Sequence, residues 1–177
     1  MAMDKVSTAD DFTRDATLLD GSPVTIRRLI TEDYDAVLAL ALTLDDRERY
    51  MRFFTAHPAY IGEWALSLTA PAAGIVAIGA FEAGELIGVA NYAQTDRPGY
   101  AEVAVVVAHD QHERGVGTAL LRAVGCLARD AGQHHFVADV LAENRAMCRV
   151  ISDAGWPTTR HNDAGVLSID IDLDNVR

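Results

Sequence analysis

An α+β domain, with a mostly antiparallel central sheet flanked by helices on both faces, is the fold the sequence predicts. Three observations carry it. Strand-length apolar or alternating runs lie at 75–81, 86–92 and 101–108, separated by the turn signals Glu82-Ala83-Gly84-Glu85 and Asp96-Arg97-Pro98-Gly99. Segments with apolar residues at three- and four-residue spacing precede and follow this meander. Two further strand-length runs, at 136–141 and 166–173, alternate with the later helices. No internal repeat or low-complexity linker divides the chain, and 177 residues suffice for one hydrophobic core. Residues 18–177 therefore read as a single domain.

Taken in order, residues 1–17 are polar and without periodicity, which predicts a loose N-terminal extension. Asp20-Gly21 signals a turn, and Val24, Ile26 and Arg27 continue as a strand. Thr31 is the predicted N-cap of a first helix. Glu32, Asp33 and Asp35 fall in its first turn, where the dipole favours acids, and Val37, Leu40, Ala41 and Leu44 form its apolar face. A second helical piece covers 46–54, its Tyr50, Phe53 and Phe54 packing inward, and a third covers 59–68. In the meander, the run Val103, Val105, Val106 and Val107 predicts burial on both faces, hence a central strand. A helix at 115–131 has a broad apolar face and stops at Gly132. After the strand 136–141, a helix over 144–154 turns Met147, Val150, Ile151 and Ala154 inward and closes at Gly155. In the last strand, 166–173, Leu167, Ile169, Ile171 and Leu173 alternate with Val166, Ser168, Asp170 and Asp172, a half-buried pattern that suits a sheet edge.

Composition narrows the function. No apolar run reaches the roughly 18 residues a membrane span needs, and the N-terminus lacks a basic-then-apolar leader pattern, so a cytoplasmic protein contacting no membrane is expected. A net charge of -11 argues against a nucleic-acid face and favours a basic partner or a cationic substrate. Cys126 and Cys148 lie inside predicted helices without ligand spacing and read as free thiols. His134 and His135 have no further His or Cys at ligand spacing, so no metal is expected. His57, before Pro58 in a helix-to-helix connection, reads as a surface-loop histidine.

The informative stretch is His112-Glu113-Arg114-Gly115-Val116-Gly117, at a strand-to-helix junction. Glycines there let backbone approach a ligand, and the free N–H groups of a first helical turn point at one anion. By itself such a loop is either a phosphate site or a tight turn that only packs. A dinucleotide fingerprint is excluded by Leu120 in place of the third glycine and by the antiparallel context. A Walker loop is excluded by the lack of Gly-Lys-Ser/Thr.

Strand, charged turn, H-E-R-G-V-G and amphipathic helix together resemble the acetyl-CoA-binding signature Q/R-x-x-G-x-G/A of the Gcn5-related N-acetyltransferase (GNAT) family. Ala142 to Met147, followed by Gly155-Trp156, resembles that family's second motif, an Asn that starts a helix ending in Gly-aromatic. The resemblance spans about 23–173. Within the family, R-Y-M-R-F-F at 49–54, A-E-V-A at 101–104 and V-A-D-V-L-A-E-N-R-A-M at 137–147 resemble the bacterial protein-lysine acetyltransferase (Pat-like) branch. Some members of that branch carry a regulatory domain, which 177 residues are not expected to accommodate.

The resemblance implies an acyl-CoA N-acyltransferase fold, with acetyl-CoA as co-substrate and an amine as acceptor. The acceptor is expected to be a protein lysine. A small amine of polyamine or aminoglycoside type, or a binding module without catalysis, are the alternatives; a homodimer is allowed. Glu102, at the start of the central strand, is the implied catalytic base. The backbones of Val105 and Val107 would bind the pantetheine arm, and His112, Glu113, Arg114, Gly115, Val116, Gly117 and Thr118 the pyrophosphate. Asn144 reads locally as a helix N-cap and, by resemblance, also as a cofactor ligand. Asp139 and Glu143 are less favoured acids. His112 stands where the signature has Gln or Arg, Glu113 where Gly is common, and Ile151 where many members place a thiolate-protonating Tyr, so that role is unassigned.

Overall fold

The structure is a computed structural model that describes residues 11–54 and 59–175. His57 and residues 1–10, on which expectations were stated, lie outside them.

Eight strands form one sheet, in the order β1-β2-β3-β4-β5-β6-β8-β7. In chain order these are β1 Thr13–Thr17, β2 Pro23–Arg28, β3 Ile75–Glu82, β4 Glu85–Gln94, β5 Tyr100–Val107, β6 His135–Leu141, β7 Thr158–Asp163 and β8 Val166–Asp172. The helices are α1 Tyr34–Thr43, α2 Asp46–Phe53, α3 Ile61–Thr69, α4 Val116–Asp130 and α5 Arg145–Ala154. Every strand pair is antiparallel except β5 with β6. Each face of the sheet carries its own core. Ile78, Val103, Phe136 and Ile171 pack with Leu120, Val124 and Ile151 from α4 and α5. Val89, Val106 and Ala77 pack with Val37, Leu40 and Leu68 from α1 and α3. The helices therefore flank both faces, as the sequence predicts, and each fully buried large side chain contributes about 1.5–3 kcal/mol of transfer free energy.

Four expectations need correction. Of Tyr50, Phe53 and Phe54, expected to pack inward, only Phe53 does, edge-on against Trp64 at 5.4 Å, while Tyr50 and Phe54 are 42% and 46% exposed. Thr31 does not cap α1; it opens a 3-10 turn, Thr31–Asp33, and buried Asp33 closes that turn by accepting the Ile30 N–H at 2.8 Å while paired with Arg27 at 2.8 Å. Residues 13–17, expected to be part of a loose extension, form β1, paired along its whole length with β2. The strand at 166–173 is not an edge. β8 lies between β6 and β7, with Ile169 and Ile171 buried and Ser168, Asp170 and Asp172 more exposed between and beside them. The edge is β7, whose polar sequence T-T-R-H-N-D is almost wholly exposed.

Candidate active site

The site begins with a fault in the sheet. β5 and β6 pair over only three residues, the last being Glu102 with Val137. Beyond that point the two parallel strands separate. The N–H of Ala108 is donated to the Ile87 carbonyl of β4. Because hydrogen-bonding direction alternates along a strand, Val106 and Ala104 also turn their backbone groups to β4, and Val103, Val105 and Val107 turn theirs to the side that β6 has left. The result is a groove of about 1410 Å³, with one wall an unpaired strand edge. At about 3.3 Å per residue, the five steps from Glu102 to Val107 span roughly 16–17 Å.

At the far end of that edge the chain turns through residues 109–115 into α4. Gly115, the N-cap, takes φ 84, and Glu113 takes φ 64, the left-handed region that favours glycine. The first helical bond from this loop is Ala119 N–H to Gly115 O at 3.0 Å, and no side chain caps the helix. The N–H groups of Val116, Gly117 and Thr118 are thus spare donors facing the groove, with the helix dipole behind them. Gly117 must stay bare: a Cβ there would lie 2.9 Å from Val150 Cγ2 of α5.

The predicted residues fall into place unevenly. Glu102, Val105, Val107, His112, Glu113, Gly115, Val116, Gly117, Thr118 and Asn144 all line the groove. The Arg114 guanidinium does not. It is bound to Asp20 (2.7 Å), to Glu82 (2.7 and 2.9 Å) and to Gln111, clamping the loop onto the turns β1–β2 and β3–β4. That clamp holds the Asp20 carboxyl down at about 2, raises the Arg114 guanidinium above its ordinary value, and lowers Glu82 below the usual carboxylate range. His112 Nε2 donates to the Val107 carbonyl at 3.2 Å and lies 3.5 Å from Glu48 Oε1. The Asn144 side chain accepts from Met147 N–H at 3.0 Å, so it caps α5 from the groove wall. Ile151 is fully buried in the core.

Glu102 is exposed, and its position matters. Besides the groove it lines a smaller cleft of about 290 Å³ at the β6–β8–β7 end of the sheet, with Asp139, Ser168, Asp170 and His161. Asp139 accepts from Ser168 Oγ at 2.7 Å, and Asp170 bonds His135 Nδ1 at 2.7 Å. Glu102 therefore stands where the groove opens onto a polar surface.

Sequence reasoning placed the helix α2 but missed its part in the site. Arg52 lines the groove, and burial pushes its guanidinium down while Glu102 opposes that shift. Glu48 closes a capping box with Asp45 and binds His109 Nδ1 at 2.9 Å, tying α2 to the loop; Glu48 holds the His109 imidazole above its ordinary value. Asp45, Glu48 and His109 have donor atoms within 4.8 Å of one another among the described residues, but the Glu48 carboxylate is already engaged by the Asp45 N–H and His109. The R-Y-M-R-F-F resemblance was the available signal for α2.

An unpaired strand edge leading from a carboxylate to an uncapped helix N-terminus is an arrangement suited to an acyl-CoA-dependent acyltransferase, with room for an extended acyl-pantetheine arm along the edge and an anion at the helix end. The comparisons agree. The family model described as an acetyltransferase (GNAT) domain matches residues 24–156, well over half the chain, and the chain belongs to that family, with acetyl-CoA as its co-substrate. Among solved structures it is similar to the GNAT domain of S. lividans PAT, at 28% identity and TM-score 0.81, over 90% of this chain and 96% of that one. It is similar in fold to yncA of Salmonella typhimurium, a putative acetyltransferase solved with acetyl-CoA, at 19% identity and TM-score 0.68, over 86% of this chain and 95% of that one. A cAMP-binding acyltransferase from Mycobacterium smegmatis matches at 22% identity and TM-score 0.63; 95% of this chain covers only 50% of that one. A comparison with curated proteins finds no match. Among the described residues, no helix is long and apolar enough to cross a membrane.

Proposed function

We propose that this acetyltransferase modifies a protein lysine ε-amino group, with Glu102 as general base. The observation that carries the reading is the location of Glu102, at the meeting point of the donor groove and an open polar cleft. A lysine on a protein surface reaches such a position by its long side chain, without an enclosed acceptor pocket. Parts of the segments that resemble the protein-lysine branch, 49–54, 101–104 and 137–147, line the groove along its length.

The chemistry follows from the groove. The backbone groups of Val105 and Val107 hold the pantetheine arm, and one of these N–H groups donates to the thioester oxygen as charge develops there. The spare N–H groups of Val116, Gly117 and Thr118 take the pyrophosphate. A lysine ammonium, pKa near ~10.4, is neutral in only roughly one molecule in a thousand at pH 7. Glu102 takes one proton from the lysine ammonium as the nitrogen attacks the carbonyl carbon and later returns it to solvent; the C–N bond forms, the C–S bond breaks, and the thiolate takes the second proton from the nitrogen of the tetrahedral intermediate, directly or through water, leaving a neutral amide. Such base catalysis is worth about 10²–10⁴ in rate.

The acids of the cleft, Asp139 and Asp170, also suit a small polycation, and one experiment separates the two acceptors. Purified protein is incubated with acetyl-CoA and with a panel of proteins and amines, and products are read by intact mass and by released thiol. Acetylated protein lysine supports the proposal; turnover confined to small amines replaces it. Glu102→Gln should lower thiol release at least tenfold, and an unchanged rate removes Glu102 from the mechanism.

A further inference from the structure

Charge is distributed unusually on the helix that follows β6. The chain has 26 acidic against 15 Lys and Arg residues, and α1, α2 and α3 each place an acid in the first turn: Asp35, Asp46 with Glu48, and Glu63. The two helices that start at the groove, α4 and α5, place none. α5 opens on Arg145, carries Arg149 one turn later, and has Asp153 near its C-terminus. That order runs against the helix dipole. A sequence that breaks a local rule without a local gain is expected at a functional site.

Neither arginine has a structural use. Both are exposed, both line the groove, and neither forms an ion pair or side-chain hydrogen bond among the described residues. Arg122 on α4 shows the contrast, since its guanidinium is spent on the carbonyls of Asp153 and Ala154. At i and i+4, Arg145 and Arg149 share one helix face. Their place is fixed by the packing of the next residue: Val150 is the side chain that meets Gly117. Because β5 and β6 are parallel, the loop after β5 and the start of α5 lie at the same end of the groove, opposite Glu102. The arginines therefore cannot serve the acceptor. They flank the pyrophosphate end.

Coenzyme A carries a third phosphate on the same ribose that bears its pyrophosphate, so its site must lie within one nucleoside of the first. We propose that Arg145 and Arg149 bind the 3′-phosphate of the donor and make the protein discriminate coenzyme A from its 3′-dephospho form. This rests on the reading that the loop into α4 holds the pyrophosphate. A phosphate dianion is matched by guanidinium forks, and an exposed site of this kind binds more weakly as salt is added.

The test is calorimetric binding of coenzyme A and of 3′-dephospho-coenzyme A to wild type, R145Q, R149Q and the double variant, with thermal unfolding as the control for fold. Wild type should bind coenzyme A at least tenfold more tightly than the dephospho form. The double variant should bind both alike, at the wild-type level for the dephospho form, and Arg149→Lys should restore part of the difference. Equal wild-type affinities, or a double variant that loses affinity for both ligands in equal proportion, would overturn the proposal. Failure of the wild type to bind either ligand would overturn the pyrophosphate reading and this one with it; a discrimination that the variants leave intact would overturn this one alone.

Discussion

Glu113 is a residue in a glycine's conformation beside the proposed pyrophosphate site, and two substitutions separate its two penalties. Its φ of 64 costs a non-glycine residue about 1–2 kcal/mol. Glycine returns about 0.5–1 kcal/mol of that through its freer unfolded chain, so Glu113→Gly should stabilise the protein by about 0.5 kcal/mol. Its carboxylate lines the same groove as the spare N–H groups of α4. Two unit charges about 8 Å apart at an effective dielectric of about 40 repel by about 1 kcal/mol. Screening over a Debye length of about 8 Å at physiological salt cuts this to about 0.4 kcal/mol for each phosphate charge. Two such charges give about 0.8 kcal/mol, or roughly fourfold in Kd. Glu113→Gln removes the charge and keeps the strained backbone; Glu113→Gly removes both. Both variants should bind coenzyme A roughly fourfold more tightly, rising above about tenfold near 10 mM salt, where screening is weak. Only the glycine variant should move the denaturation midpoint upward. Calorimetry at two salt concentrations and urea unfolding read the two effects. An affinity unchanged at both salts in Glu113→Gln would show that no phosphate sits beside this loop.

The other predictions concern the frame. At Gly125 of α4 a Cβ would collide with the ring of buried Trp156, so Gly125→Ala should cost about 1–3 kcal/mol by overpacking, read from the urea midpoint. The Arg114 clamp should be acid-sensitive. Asp20 titrates at about 2 in the fold against 3.8 without partners, and Glu82 also lies below its ordinary value. A carboxyl depressed by folding contributes stability above its unfolded pKa and loses it as pH falls through the folded one. Arg114→Gln should therefore unfold more readily than wild type at neutral pH, and the difference should close between pH about 4 and about 2. A constant difference over that range would show that the clamp contributes nothing through ionisation.

What could be read from the sequence follows from where each signal is stored. The Gly115 turn, the Asn144 cap and the amphipathic helices are local, and the structure has them where the residues put them. β7 was missed because an edge strand exposed on both faces shows no alternation. Its turn was nevertheless visible: Ala164-Gly165 takes φ 49 and 88, as Ala83-Gly84 takes 49 and 85, and only the latter pair lies between apolar runs. The partners of Arg114 stand 94 and 32 residues away, so nothing local distinguishes a clamp from a phosphate ligand. The separation of β5 from β6 after Glu102 is a property of two strands together. Val103 to Val107 read as a strand buried on both faces, whereas Val105 and Val107 are only half-buried because the groove runs along them.

The three departures from the family signature bear differently on the proposed function because the binding we propose is done mostly by backbone. His112 and Glu113 replace side chains around the loop, but the spare N–H groups of α4 depend on the φ of Gly115 and on the bare Gly117, which are kept. His112 even satisfies the last free carbonyl of the strand edge, that of Val107. Ile151 is the deeper change. Ile151 turns into the core with Val140 and Ile169 and carries no proton to give the departing thiolate. The energetic cost of that loss is limited by the leaving group. An alkyl thiol has a pKa near ~8.5, within about two units of neutrality, so the thiolate can leave before it is protonated. The amine, with a pKa near ~10.4, cannot attack before it is deprotonated. The step that needs a protein side chain is therefore removal of the proton from nitrogen, the role we propose for Glu102, which stands where the groove meets the polar cleft.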